Sequence, residues 1–111
     1  MTTTDQNFTM WQGEDKDITI NLVDSNGDPF GDLAGLTFAW KLATSENATT
    51  TLVSKVPTGT TDFVTFSLAD TDTQDLAPGG YYQECRVTDA GGDEDVVLTG
   101  GVTLKASITN P

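Results

Sequence analysis

Apolar and polar positions alternate with period two along most of the chain. Ile18, Ile20 and Leu22 interleave with Asp17, Thr19 and Asn21; Phe38, Trp40 and Leu42 with Thr37, Ala39 and Lys41. Val64, Phe66 and Leu68 interleave with Phe63, Thr65 and Ser67, and Val102, Leu104, Ala106 and Ile108 with Thr103, Lys105 and Ser107. Side chains two apart share a sheet face, so each run offers one apolar and one mostly polar face. That pattern predicts antiparallel strands wetted on one side. Strands are expected near residues 7–12, 16–24, 36–43, 51–55, 62–68, 80–89, 94–99 and 101–108, the last two joining if Gly100-Gly101 marks a bulge.

Turn chemistry fills the gaps. Asn26-Gly27 suits the positive φ of a tight turn, and Pro29 presets the exit. Pro57-Thr58-Gly59 and Asp89-Ala90-Gly91-Gly92-Asp93 divide later runs. One segment breaks the period. Asp70-Thr71-Asp72-Thr73-Gln74-Asp75-Leu76 has an N-cap residue and carboxylates near its start, and Ala77-Pro78-Gly79 ends it. It predicts one helical turn near Asp72 to Leu76. Seven to eight short strands with regular turns predict an all-β fold, an antiparallel β-sandwich of immunoglobulin-like type with one short helical turn. The expected core is Ile18, Ile20, Leu22, Phe38, Trp40, Leu42, Val64, Phe66, Leu68, Tyr81, Cys85, Val87, Val102 and Leu104. Tyr81 follows a Pro-Gly corner and is placed to be a corner tyrosine, although its spacing to Cys85 differs from the antibody pattern.

A length of 111 residues fits one domain with a modest core. Residues 1–7 are polar and Thr-rich, so they are expected to form a flexible N-terminal arm, with the sandwich over 8–111. Met1 to Asn7 has neither a basic residue nor an apolar run, so no secretory signal is expected. No stretch approaches the length of an apolar membrane span.

Charge narrows the function. Five Lys and Arg stand against 17 Asp and Glu, a net charge of -12. Phosphate backbones and anionic membranes both require the opposite sign, so neither nucleic acid nor membrane is an expected partner. The chain has no His, which removes Ser-His-Asp and Cys-His chemistry and imidazole metal sites. Cys85 is the single cysteine, so no internal disulfide forms, and a core role is expected for it.

Two acidic turns resemble cation sites. Asp24-Ser25-Asn26-Gly27-Asp28 has its Gly fourth instead of sixth in a calcium-hand count, and Gly35 stands where the twelfth-position Glu belongs. Asp89, Asp93, Glu94 and Asp95 offer oxygen ligands, but a solvated hairpin turn is the simpler expectation. Asn7-Phe8-Thr9 and Asn47-Ala48-Thr49 match a glycosylation pattern that carries no weight without a secretory signal. No catalytic residue, cofactor or metal is expected. The candidate site is a protein interface on the first strand: Phe8, Met10, Trp11 and Gln12. If Phe8 and Met10 face the core, Trp11 faces out, and exposed aromatics favour interfaces.

The order of motifs carries a resemblance. Phe8-Thr9-Met10-Trp11-Gln12-Gly13-Glu14-Asp15 opens the chain, and Asp24 to Gly27, Pro29 and Asp32-Leu33-Ala34-Gly35 follow. Phe38, Trp40 and Leu42 come next. Near the end stand Pro78-Gly79-Gly80-Tyr81-Tyr82-Gln83-Glu84-Cys85-Arg86-Val87-Thr88-Asp89 and Thr99-Gly100-Gly101-Val102-Thr103-Leu104. Over nearly the whole chain this resembles the small immunoglobulin-like domains of tailed-bacteriophage virions, including the N-terminal domain of the baseplate upper protein family. The shared features are an aromatic residue before a Gln/Arg-Gly-Asp-like turn, an Asp-Leu-x-Gly turn and a Pro-Gly-x-Tyr corner. The baseplate family continues into further domains, whereas this sequence runs to Asn110-Pro111. In that stand-alone form it looks more like a capsid decoration (cement) protein. The resemblance implies a non-enzymatic virion structural protein that binds and stabilises the head shell. Its partners would be the major capsid protein and further copies of itself, as a homo-oligomer on the particle. It would reside in the virion, and in the host cytoplasm during assembly. A tail or baseplate accessory protein is the alternative, and a cation- or carbohydrate-binding module is the third.

Overall fold

A computed structural model describes residues 2–3, 7–23, 26, 33, 35–45, 48, 50–59 and 63–109. Among the described residues eight strands and one helical turn follow one another in this order: β1 (Thr2–Thr3), β2 (Phe8–Trp11), β3 (Lys16–Val23), β4 (Thr37–Ala43), β5 (Val53–Lys55), β6 (Phe63–Leu68), α1 (Asp70–Thr73), β7 (Gly79–Thr88) and β8 (Glu94–Lys105). They build two sheets, β1-β3-β6 and β2-β8-β7-β4-β5. The expected all-β sandwich is what the chain forms. Its loops at Asp24-Ser25 and Gly27 to Asp32 lie outside the described residues.

Period-two sequence becomes period-two burial. Along β4 every second residue, Phe38, Trp40 and Leu42, is buried, and β3 and β6 bury Ile18, Ile20, Leu22, Val64, Phe66 and Leu68 in the same way. Their inward faces meet those of β7, β8 and β2 in one cluster, which adds Met10, Leu33, Val53, Val97 and Leu98 to the expected core. Tyr81 is half-buried and packs against the cluster's edge. At the centre the Trp40 ring lies 4.5 Å from that of Phe66. The Trp40 indole N–H donates to Gln83 Oε1 at 2.9 Å, so the core's large polar atoms satisfy each other.

Several expectations need correction. The pairing is not wholly antiparallel, because β2 runs parallel to β8, with Phe8 opposite Val102 and Trp11 opposite Lys105. Parallel neighbours need a long crossover, and here the rest of the domain provides it. The residues expected as a flexible arm include β1, whose Thr2 and Thr3 pair with Val23 and Leu22. The chain therefore opens in the three-stranded sheet with β1 and crosses to the five-stranded sheet with β2. The two final runs form one strand, β8, and its irregularity lies at Val97 instead of Gly100-Gly101. Cys85 pairs with Leu98 and Arg86 with Val96, which leaves Val97 over as the bulged residue and lets Val97 and Leu98 both point inward.

The helical turn lies two residues earlier than expected, with Ala69 at its N-cap. Ala69 has no side-chain acceptor, so only half a capping box forms: the Ala69 N–H donates to Asp72 Oδ2 at 2.7 Å. The Asp70 N–H donates instead to Asp15 Oδ1, also at 2.7 Å, which ties the turn to the segment entering β3. The Tyr81 hydroxyl donates to the Ala77 carbonyl four residues upstream. This is a tyrosine corner, formed despite the altered spacing to Cys85.

Candidate functional site

Parity on β2 sorts the four candidate residues. Phe8 and Met10 sit opposite Val102 and Leu104 and point inward. Met10 is 2% exposed and Phe8 is half-buried against the core. Met10 therefore cannot present its side chain to a partner and is corrected from interface to core. Trp11 points outward and is 48% exposed. Lys105, its register partner on β8, places Nζ 5.4 Å from the indole centroid, within cation–π range.

Gln12 is engaged inside the domain. Its Nε2 donates to the Leu76 carbonyl at 2.7 Å, and its Oε1 accepts from the Ser107 N–H at 3.4 Å. Gln12 also donates its backbone N–H to the Lys105 carbonyl at 2.9 Å. Gly13 follows at φ +70 and donates its N–H to Thr73 Oγ1 at 3.0 Å. Glu14 closes the turn, its Oε1 accepting from the Trp11 N–H at 3.1 Å. The residues after Trp11 thus bind the edge strand to the helical turn and to the segment after β8. They hold the indole at a fixed place on a sheet edge, and Trp11 is the member of the candidate set left facing solvent.

The acidic hairpin between β7 and β8 is closed on itself. Asp89 Oδ1 accepts from the N–H groups of Gly91 and Asp93, at 2.9 and 3.0 Å, and Gly92 takes φ +88. An Asx-type turn accounts for Asp89. Among the described residues no group of three or more His, Cys, Asp or Glu is placed to hold a metal ion. Cys85 is fully buried, and that burial pushes its thiol up to about 12, with an Ala39 backbone hydrogen bond opposing and the Glu84 charge adding to the rise. At neutral pH it is a protonated core residue without nucleophilic character.

One ion pair links the helical turn to an edge strand: Lys55 Nζ lies 2.8 Å from Asp72 Oδ2. Burial of Asp72 works to raise its pKa, but the Lys55 hydrogen bond, the Ala69 N–H and the Lys55 charge outweigh it, and the net shift is downward. A carboxylate with a lowered folded pKa stabilises the fold above its unfolded pKa, and that contribution fades as pH falls through the folded value. Asp72→Asn is therefore expected to cost about 1 kcal/mol at pH 7. In urea titrations the gap from the native chain should narrow steadily below about pH 4. A gap constant from pH 7 to pH 2 would rule the pair out as its cause.

No protein-family model matches the chain, and no curated protein matches it.

Proposed function

We propose that the protein is a non-enzymatic structural protein of a tailed-phage virion, a capsid decoration protein that docks on the head shell through the edge strand β2. The observation that carries this reading is the exposed Trp11 indole, held at a sheet edge by a turn whose own polar groups are engaged internally. A large aromatic side chain fixed at an edge suits a binding hot spot, because little conformational entropy remains to be lost on docking. The motif resemblance supports the virion setting. The net charge of -12 opposes non-specific aggregation of unassembled copies.

Labelling of intact virions with an antibody against the chain tests the setting. Signal over the head is the expected result. Signal confined to the tail would favour the accessory-protein reading that the baseplate resemblance suggests, and unlabelled virions would refute both. Trp11→Ala tests the surface. It should leave the melting temperature nearly unchanged and weaken attachment to undecorated particles by about 2 kcal/mol or more. A large loss of thermal stability with unaltered attachment would make the indole a packing residue.

A further inference from the structure

Charge is distributed unevenly over this molecule. The register of the five-stranded sheet sets one face outward, and that face carries Lys41 and Arg86 near its centre and Lys105 toward its β2 edge. Its carboxylates are Glu84 and Glu94. Three cations against two carboxylates give this face a net charge of +1, although the chain as a whole carries -12, so the remaining residues carry -13. Of the two other cations, Lys55 is paired with Asp72. The other outward positions of β4, β7 and β8 are uncharged, among them Thr37, Ala39, Tyr82, Val96, Thr99 and Thr103.

We propose that this outer face of the five-stranded sheet is a self-association surface, and that its occupant is the same face of a second copy of the chain. Electrostatics selects the face. Two copies that meet through their acidic remainders bring like charge against like charge, whereas two copies that meet here juxtapose nearly neutral surfaces carrying both signs. Lys41 lies beside Glu84 in the β4–β7 register, and Arg86 Nη2 is 3.8 Å from Glu84 Oε2. A two-fold axis through a face of mixed charge can set cations of one copy over carboxylates of the other. Lys41, Glu84, Arg86 and Glu94, with Ala39, also line a shallow depression, so the charged groups surround a hollow at the centre of the face.

Size agrees with the assignment. Five strands about 4.8 Å apart and some seven residues long cover roughly 550 Å², close to the roughly 600 Å² per partner at which specific interfaces begin. Trp11 sits at the rim, at the β2 edge, and remains available to a particle. The inference does not depend on the virion reading.

Sedimentation velocity of the full chain across a concentration series tests it. The native chain should show a concentration-dependent monomer–dimer equilibrium. The double variant Lys41→Glu/Arg86→Glu should weaken the dimer by about 100-fold or more. Lys16→Glu, outside the face, should change the dissociation constant by no more than the added charge alone would. Circular dichroism should show all variants folded, since both residues of the double variant are exposed. A native chain that stays monomeric at all accessible concentrations would overturn the proposal, as would a dimer indifferent to the double variant. A monomeric chain that needs Lys41 and Arg86 for attachment to particles would overturn it too, by giving the face to another virion protein.

Discussion

Trp40→Ala is expected to be among the most damaging single substitutions in the chain, at about 4 kcal/mol or more. Trp40 is fully buried, stacks at a tilt on Phe66 and donates to Gln83. Removing it opens a large cavity, and the neighbours it touches sit on both sheets, so neither sheet can close the gap without the other moving. It also leaves the Gln83 carbonyl without its indole donor in a site where Gln83 is 1% exposed. Loss of a buried partner costs about 1–3 kcal/mol by itself. A domain of this size has about 5–15 kcal/mol in total, so the variant should be largely unfolded or molten at 37 °C. The two contributions separate experimentally. Trp40→Phe keeps most of the ring volume and removes the donor, and Gln83→Leu removes the acceptor. Urea denaturation of both singles and the double should give a double that is less destabilised than the sum of the singles. Strict additivity would mean that the hydrogen bond contributes nothing to the core.

How far the sequence reveals this molecule depends on the range of the interaction concerned. Strand existence and facing are local properties: a run such as Phe38-Ala39-Trp40-Lys41-Leu42 declares its inward side by alternation alone, and the structure places it so. Pairing partners are not local. Nothing in Phe8 to Trp11 states that the strand runs parallel to β8, and nothing in Thr2-Thr3, which has no apolar residue, marks it for the other sheet. The bulge at Val97 did leave a trace, because Asp95-Val96-Val97-Leu98 breaks the alternation, yet the adjacent Gly100-Gly101 carries the more familiar bulge chemistry. Those glycines lie instead where the chain passes Asn7, whose Oδ1 accepts from the Gly101 N–H at 2.8 Å.

The candidate site divides along the same line. That Trp11 faces out while Phe8 and Met10 face in follows from parity, once Phe8 is assigned inward. Gln12 gives no such signal. Its partners Leu76 and Ser107 lie 64 and 95 residues away, and a polar side chain next to an exposed Trp reads equally well as interface or as internal tie. The mixed-charge face is likewise invisible along the chain, because Lys41, Glu84, Arg86 and Lys105 come from three strands and share a side only after register is set.

Gly59→Ala is expected to cost about 2–4 kcal/mol, although Gly59 is exposed and outside every regular strand. A Cβ built at this position would lie 1.9 Å from the Phe63 carbonyl oxygen and 3.0 Å from both the Phe63 carbonyl carbon and Val64 Cα. All three are backbone atoms, so no side-chain rotation relieves the overlap. The neighbouring backbone is fixed as well: Thr58 and Thr65 exchange two hydrogen bonds, with N–H to carbonyl distances of 3.0 and 2.8 Å. To admit a methyl group the chain must break this bridge or lift the start of β6, and Val64, fully buried, would move with it. Gly80→Ala is the matched control, since nothing lies within 4 Å of its hypothetical Cβ and it sits on an exposed strand position. It should be neutral or slightly stabilising, as a Gly in a strand gives up more backbone entropy on folding than Ala does. Urea denaturation of the two variants side by side decides the matter. Equal stabilities would show that the close approach at Gly59 relaxes at no cost, and a loss confined to Gly80→Ala would contradict the steric account outright.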